Sequence, residues 1–116
     1  MGYEYISRNH NEIRTWNLIM IRHIVFFNAK NETDKDVIYD GLSLLSNIPH
    51  CNFFEVQKDI NADALSSGQV DFIVYGEFED LEQLDAYKAH PLYQKSIDIV
   101  RPLRDVRIAG DFLSAA

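Results

Sequence analysis

YKAHPLYQKSIDIVRPLR, residues 87–104, is the stretch of sequence that decides the fold. His90-Pro91 ends one helix pattern and opens another, because proline disfavours the helical conformation in the residue before it and suits the first turn of a helix. Pro102 then ends the second pattern. The stretch 20–28, MIRHIVFFN, is the first strand of the domain. It is short, apolar on both faces and rich in β-branched and aromatic residues, which is typical of a central strand covered on both sides.

The remaining elements lie between these two stretches and after the second of them. Thr33 and Asp36 predict the start of a helix that Ile48-Pro49 terminates. Asp80 caps a second helix pattern, with Gln83 at the position of a capping-box partner. The predicted order is a strand (20–28), a helix (34–46), two strands (53–60 and 70–78), two helices divided at His90-Pro91, and a strand (106–112). This order predicts an α+β fold, the ferredoxin-like βαββαβ sandwich, in which the helices cover one face of a four-stranded antiparallel sheet.

The two faces of the sheet are separated by the alternation of side chains along each strand. We expect the helices to cover Ile24, Phe26, Val70, Phe72, Val74, Val106 and Ile108. The open face then carries Ile21, His23, Val25, Phe27, Phe53, Ile73 and Tyr75. Because so large an apolar surface should not remain in water, it predicts a homodimer in which two sheets face each other and enclose a cavity, a dimeric α+β barrel.

Length and charge limit the possible classes of protein. With 116 residues, the chain fits one domain (20–116), preceded by a polar, aperiodic N-terminal extension (1–19). The net charge of -7 argues against binding to nucleic acid or to anionic membranes. No apolar run is long enough to span a bilayer, and the single cysteine, Cys51, favours a reducing compartment. We therefore predict a cytoplasmic protein without a membrane partner.

Several stretches together resemble the stress-responsive A/B barrel, or Dabb, family of dimeric α+β barrels. They are MIRHIVFF at the first strand, the Ile-Pro after the first helix, DFIVYGEF, AYKAHPLYQ and VRPLRDVRIAGDF, and they cover residues 20–112. The resemblance implies a homodimer with strand exchange at the rim of the barrel. It also implies a diverse family that includes plant stress proteins and bacterial proteins without an assigned activity.

A few members of this family are enzymes, such as the plant polyketide cyclases of the olivetolic acid type. Their first-strand histidine matches His23, and a tyrosine at the end of the second main helix matches Tyr87. Two further histidines of those cyclases are replaced here, by Asp71 on the third strand and by Tyr93 after His90-Pro91. An aldol-type closure needs a base near neutral pH, and tyrosine, with a reference pKa of about 10, is a poor one. The resemblance thus implies the fold more strongly than cyclase activity.

The candidate catalytic residues are His23, Tyr87 and His90. His23 could act as a base near neutral pH or could be a buried imidazole satisfied by one hydrogen bond. Tyr87 at helical spacing and His90 at a helix end also have purely structural interpretations. The candidate ligand-binding residues are Phe27, Phe53, Asp71, Ile73 and Tyr75. No spacing of cysteines and histidines predicts a metal site, and no motif predicts a cofactor.

Three functions remain open from the sequence. The barrel could bind a small apolar or aromatic molecule, with His23 contacting a polar group of it. It could instead be a cofactor-free enzyme of the lyase, cyclase or isomerase type, with His23 as general base. In the third alternative, the interior is filled by side chains and the protein has a structural role in stress or assembly.

Overall fold

The computed structural model describes residues 3–6 and 13–115, with side chains from residue 19 to residue 115. Short 3₁₀ turns, Glu32–Asp34 and Leu44–Asn47, flank the first helix. The elements in chain order are β1 (Tyr3–Ile6), β2 (Ile13–Ala29), α1 (Lys35–Ser43), β3 (Phe53–Lys58), β4 (Phe72–Phe78), α2 (Leu81–Ala89), α3 (Pro91–Val100) and β5 (Arg104–Ala115).

The strands form one antiparallel sheet, in which β3, β4, β2 and β5 lie side by side. This order and the helices on one face confirm the predicted ferredoxin-like α+β fold. The first strand is longer than expected, since β2 begins at Ile13 and its N-terminal part pairs with β1. A continuous strand therefore crosses the predicted boundary at residue 20, and the division into an extension and a domain remains a prediction.

Helix ends follow the signals in the sequence. Asp80 caps α2, because its Oδ1 accepts a hydrogen bond of 2.8 Å from the backbone N–H of Gln83. The Gln83 side chain reaches back and accepts a bond of 2.6 Å from the backbone N–H of Glu79. Helices α1 and α3 pack closely at Gly41, where an added Cβ would lie 2.9 Å from a methyl group of Ile99 and of Val100. A side chain at this position would force the two helices apart.

The predicted assignment of sheet faces is wrong for β2 and β5. In β2 the residues expected on the open face are buried beneath the helices, namely Ile21, His23, Val25 and Phe27, whereas Phe26 is 37% exposed. In β5, Val106 and Ile108 are exposed rather than buried. The prediction for β4 holds, since Phe72 and Val74 are buried. Because both faces of β2 are apolar, alternation alone could not distinguish them.

Candidate functional site

A cavity of about 260 Å³ lies between the sheet and the helices. Its floor consists of side chains from β2 and β4, namely His23, Val25, Phe27 and Val74. Its roof consists of side chains from the helices and the turn after α1, namely Leu42, Leu45, Tyr87, Tyr93, Ser96, Ile97 and Val100. Arg101, Arg104 and Arg107 complete its lining. The cavity thus has apolar walls, a few polar groups and a basic side, and it lies within one chain, partly open to solvent, rather than between two sheets.

His23 is the buried titratable group of this cavity. It is 2% exposed, and its Nδ1 lies 2.5 Å from Oδ1 of Asp111 on the neighbouring strand β5. The two side chains meet because His23 and Asp111 are directly paired in the antiparallel register, which places them on the same face of the sheet. Nδ1 donates its hydrogen to the carboxylate, so the other ring nitrogen, Nε2, carries the free electron pair.

Two opposing effects set the protonation state of His23. Burial lowers its pKa below the usual 6.5, and the hydrogen bond with Asp111 partly offsets this by favouring the charged ring. Burial dominates, so the imidazole is neutral at pH 7. Within the described residues, Nε2 has no hydrogen-bond partner. Every fully buried side-chain nitrogen there does have one, so Nε2 is not fully buried. Since His23 lines the cavity, we infer that Nε2 is accessible from it. An unprotonated Nε2 held in this way can accept a proton or a hydrogen bond from a bound molecule.

The pKa of His23 can be measured by following its ring protons in a nuclear magnetic resonance titration. We expect a value below 6.5 and a further decrease in the Asp111→Asn variant, because the variant removes the charge that favours imidazolium. The unfolded chain would then bind more protons than the folded one below about pH 6.5, so His23 should contribute to a loss of stability as the pH falls through this value. A pKa above 6.5 in the wild type, or an increase in Asp111→Asn, would contradict this account.

Tyr87 lies beside His23 in the last turn of α2. It is 1% exposed, and its ring lies 5.0 Å from that of Phe78, 5.3 Å from that of Tyr93 and 6.4 Å from that of His23, measured between centroids. Burial raises the pKa of its hydroxyl far above the usual 10. The hydroxyl therefore keeps its proton and can only donate or accept a hydrogen bond, which excludes Tyr87 as a base near neutral pH.

His90 has a structural role in this arrangement. Its Nδ1 accepts a hydrogen bond of 3.1 Å from the backbone N–H of Leu92 and so caps α3, in which Pro91 occupies the first turn. Its ring packs against that of His50, 6.1 Å away, and it does not line the cavity of His23. The structure therefore separates His90 from the other two candidate catalytic residues.

The predicted ligand-binding residues are divided between two faces of the sheet. Phe27 lines the cavity, whereas Phe53, Ile73 and Tyr75 lie on the open face. The Tyr75 hydroxyl accepts a hydrogen bond of 2.6 Å from Arg22 and donates one of 2.6 Å to Glu77. These three residues cannot contact the same small molecule as His23, because the sheet separates them.

Asp71 also lies away from His23. Its carboxylate accepts a hydrogen bond of 2.8 Å from the backbone N–H of Ala29 and lies 3.2 Å from Nζ of Lys35. These contacts join the start of β4 to the end of β2 and to α1. Asp71 is thus a structural residue at the opposite end of the strand pair, rather than a partner of His23.

Asp111, Ser96 and the three arginines of the cavity were missed in the sequence. Ser96 is 3% exposed in the middle of α3. A helical pattern distinguishes only core positions from surface positions, so it does not indicate that a buried serine lines a cavity. The sequence signal for Asp111 was an acidic residue in the last strand that pairs with a histidine of the first strand. That signal can be recognised only once the register of β2 with β5 is known, and 88 residues separate the two positions.

Neither a cluster of metal ligands nor a membrane-spanning helix is present among the same described residues. There, no group of three or more His, Cys, Asp or Glu side chains is arranged to hold a metal ion. No helix in this part of the chain is long and apolar enough to cross a membrane.

The fold and the cavity define a ferredoxin-like α+β protein with a cavity between its helices and its sheet. The profile of the stress responsive A/B barrel domain, Dabb, matches residues 21–114. The chain belongs to the Dabb family, which confirms the resemblance found in the sequence. Among curated proteins, none matches the chain significantly.

Solved structures agree with this assignment. A dimeric ferredoxin-like protein of unknown function from Thermobifida fusca is 25% identical, with 83% of this chain and 92% of that chain covered and a TM-score of 0.69. A Dabb family protein from Mesorhizobium loti is also 25% identical, with 83% and 97% covered and a TM-score of 0.67. A hydroxynitrile lyase from Passiflora edulis is 17% identical, with 82% and 93% covered and a TM-score of 0.65. This last likeness concerns the fold alone.

Proposed function

We propose that the protein binds a small apolar or aromatic molecule in the cavity between its helices and its sheet. The observation that carries this proposal is the cavity itself, because protein interiors are close-packed and contain few voids larger than a water molecule. A space of about 260 Å³ with mainly apolar walls suits a ligand of one or two rings. It also argues against a purely structural protein with a filled interior.

Polar groups in the cavity would orient such a ligand. Nε2 of His23 can accept a hydrogen bond from the floor, and the buried Ser96 offers a hydroxyl from the roof. Tyr93 is half-buried and borders the same space. Few polar groups among apolar walls are the usual means by which a small-molecule site fixes orientation.

A cavity-filling substitution tests this proposal. Ser96→Phe should weaken the binding of cinnamamide, a neutral aromatic probe, by roughly 30-fold or more, because the new ring would occupy the space of the ligand. Isothermal titration calorimetry would measure the affinity, and circular dichroism would verify the fold. Lys95→Phe, on the exposed side of the same helix, is the matched control and should bind like the wild type. Unchanged affinity in Ser96→Phe would place the ligand elsewhere.

The observation that favours a second function, proton transfer by His23 in a cofactor-free enzyme, is the hydrogen bond between Nδ1 and Asp111. A neutral imidazole whose other nitrogen is held by a carboxylate is the usual arrangement of a general base and its orienting partner. The class of reaction would be elimination, isomerisation or cyclisation, as the sequence suggested. In this proposal Asp111, rather than Tyr87 or His90, orients the ring of His23.

We further infer that the protein is a homodimer through the open face of its sheet. This face and the adjoining strand β5 expose Phe26, Ile108 and Phe112 by 37%, 60% and 49%. Apolar patches of this kind usually mark an interface. Similar structures described as dimeric, such as that from Thermobifida fusca, support the inference. A role in the stress response and a cytoplasmic location remain predictions.

A further inference from the structure

We propose that the ligand of the cavity is a carboxylic acid, with its apolar or aromatic part inside and its carboxylate at Arg101, Arg104 and Arg107. The inference rests on the proposed binding function and adds the chemical class of the ligand. It starts from an asymmetry in the lining, which includes three arginines and, among the described residues, neither aspartate nor glutamate.

The chain brings the three guanidinium groups together through one short connection. Arg101 caps the end of α3, and Arg104 opens β5 after a tight turn in which the backbone N–H of Leu103 bonds to Val100. A backbone hydrogen bond of 3.0 Å from Lys30 to Leu103 ties this turn to the chain after β2. Arg107 lies opposite Phe27 in the sheet, with its guanidinium carbon 6.0 Å from the centre of that ring. The fold thus places the backbone of all three residues beside the same cavity.

None of the three arginines has a charge partner in the part of the chain that the structure describes. Other basic side chains do, since Arg22 pairs with Glu77, and Lys35 pairs with Glu32 and Asp71. A helix C-terminus favours a cation, which accounts for Arg101 but not for Arg104 or Arg107. The chain as a whole has a net charge of -7, whereas the three unpaired guanidinium groups make the surroundings of the cavity positive. A bound anion would supply the charge partner that these groups lack.

Guanidinium groups bind carboxylates and phosphates, and the size and apolar character of the adjoining space favour a small carboxylic acid. Guanidinium presents parallel N–H donors that match the two oxygens of a carboxylate. The space beyond the arginines is apolar and of limited volume, about 260 Å³, so it suits a ring or short chain rather than a nucleotide. A ligand bound in this direction would place its apolar end toward Tyr87 and His23. The positive charge of the three arginines would also attract acids toward the cavity.

The test compares cinnamate with cinnamamide, which have the same shape and differ in charge. By calorimetry, we expect the wild type to bind cinnamate roughly tenfold more tightly than cinnamamide, and about 0.5 M salt to reduce this preference. Arg104→Gln/Arg107→Gln should abolish the preference, so that the two probes bind this variant with equal affinity. Lys95→Gln removes one positive charge from the exposed side of α3 and should retain the preference. Arg101→Gln alone should reduce it roughly threefold, which provides a second variant if the double variant does not fold.

The outcomes separate this inference from the function on which it rests. Equal affinities for the two probes in the wild type would overturn the acid specificity and leave the cavity as a binding site. A preference for cinnamate that persists in the arginine variants would also overturn it. Failure of both probes to bind would overturn the acid specificity together with the proposed binding function.

Discussion

Replacing His23 with Gln should slow the ring opening of nitrobenzisoxazole by the protein roughly 100-fold or more. This aromatic carbon acid opens when a base removes a single proton, and it has a size that the cavity can hold. In the second proposed function Nε2 of His23 would be the base, since Tyr87 keeps its proton and no carboxylate lines the described walls. The rate, followed by the absorbance of the phenolate product, should rise with pH and level off above the lowered pKa of His23.

Matched variants distinguish this effect from loss of structure. Asp111→Asn should slow the reaction roughly tenfold, since the ring keeps a hydrogen-bond acceptor at Nδ1 but loses the charge that makes it more basic. His50→Gln replaces an exposed histidine outside the cavity and should leave the rate unchanged. A wild-type rate no higher than that of His23→Gln would contradict the second proposed function. It would not contradict the proposed binding function, which the calorimetry with cinnamamide tests separately.

Replacing Phe26 with Asp should raise the dissociation constant of the homodimer roughly 100-fold or more. Phe26 is 37% exposed on the open face, opposite Ile73 in the register of β2 with β4, so in the dimer an aspartate there would be enclosed among apolar side chains. Enclosing an unpaired charge is one of the most costly changes at an interface. Sedimentation equilibrium would measure the shift toward monomer.

The control for this substitution lies on the other side of the molecule. Val37 is 47% exposed on α1, away from the open face, and Val37→Asp should leave the dimer intact. Circular dichroism would verify that both variants retain their secondary structure. If Phe26→Asp remained as dimeric as the wild type, or if Val37→Asp were the variant that dissociated, the open face would not be the interface.

The order of elements could be predicted because its signals are local. Asp80 and Gln83 cap α2, and His90-Pro91 closes one helix and starts the next within two residues. Such contacts span a few positions, so their chemistry is visible in the sequence itself. The N-terminal part of β2 was not predicted as a strand, because its pairing with β1 becomes visible only in the register of the folded sheet.

The candidate site was only partly predictable, for two physical reasons. First, β2 is apolar on both faces, so that the residues beneath the helices could not be told from those on the open face. This placed Phe53, Ile73 and Tyr75 with His23, although the sheet separates them. Second, the partner of His23 is 88 residues away, at Asp111, and only the register of the folded sheet brings them together. Three of the predicted residues, His23, Phe27 and Tyr87, do line the cavity, and their roles in it remain predictions.

The most direct test of a ligand site between the helices and the sheet is a crystal structure of the protein with cinnamate bound. The account predicts the aromatic ring against Val25 and Val74, its apolar end near His23, and the carboxylate within hydrogen-bond distance of Arg104 or Arg107. Cinnamate seated on the other side of the sheet, against Ile73 and Tyr75, with the helix-covered cavity unchanged, would contradict it.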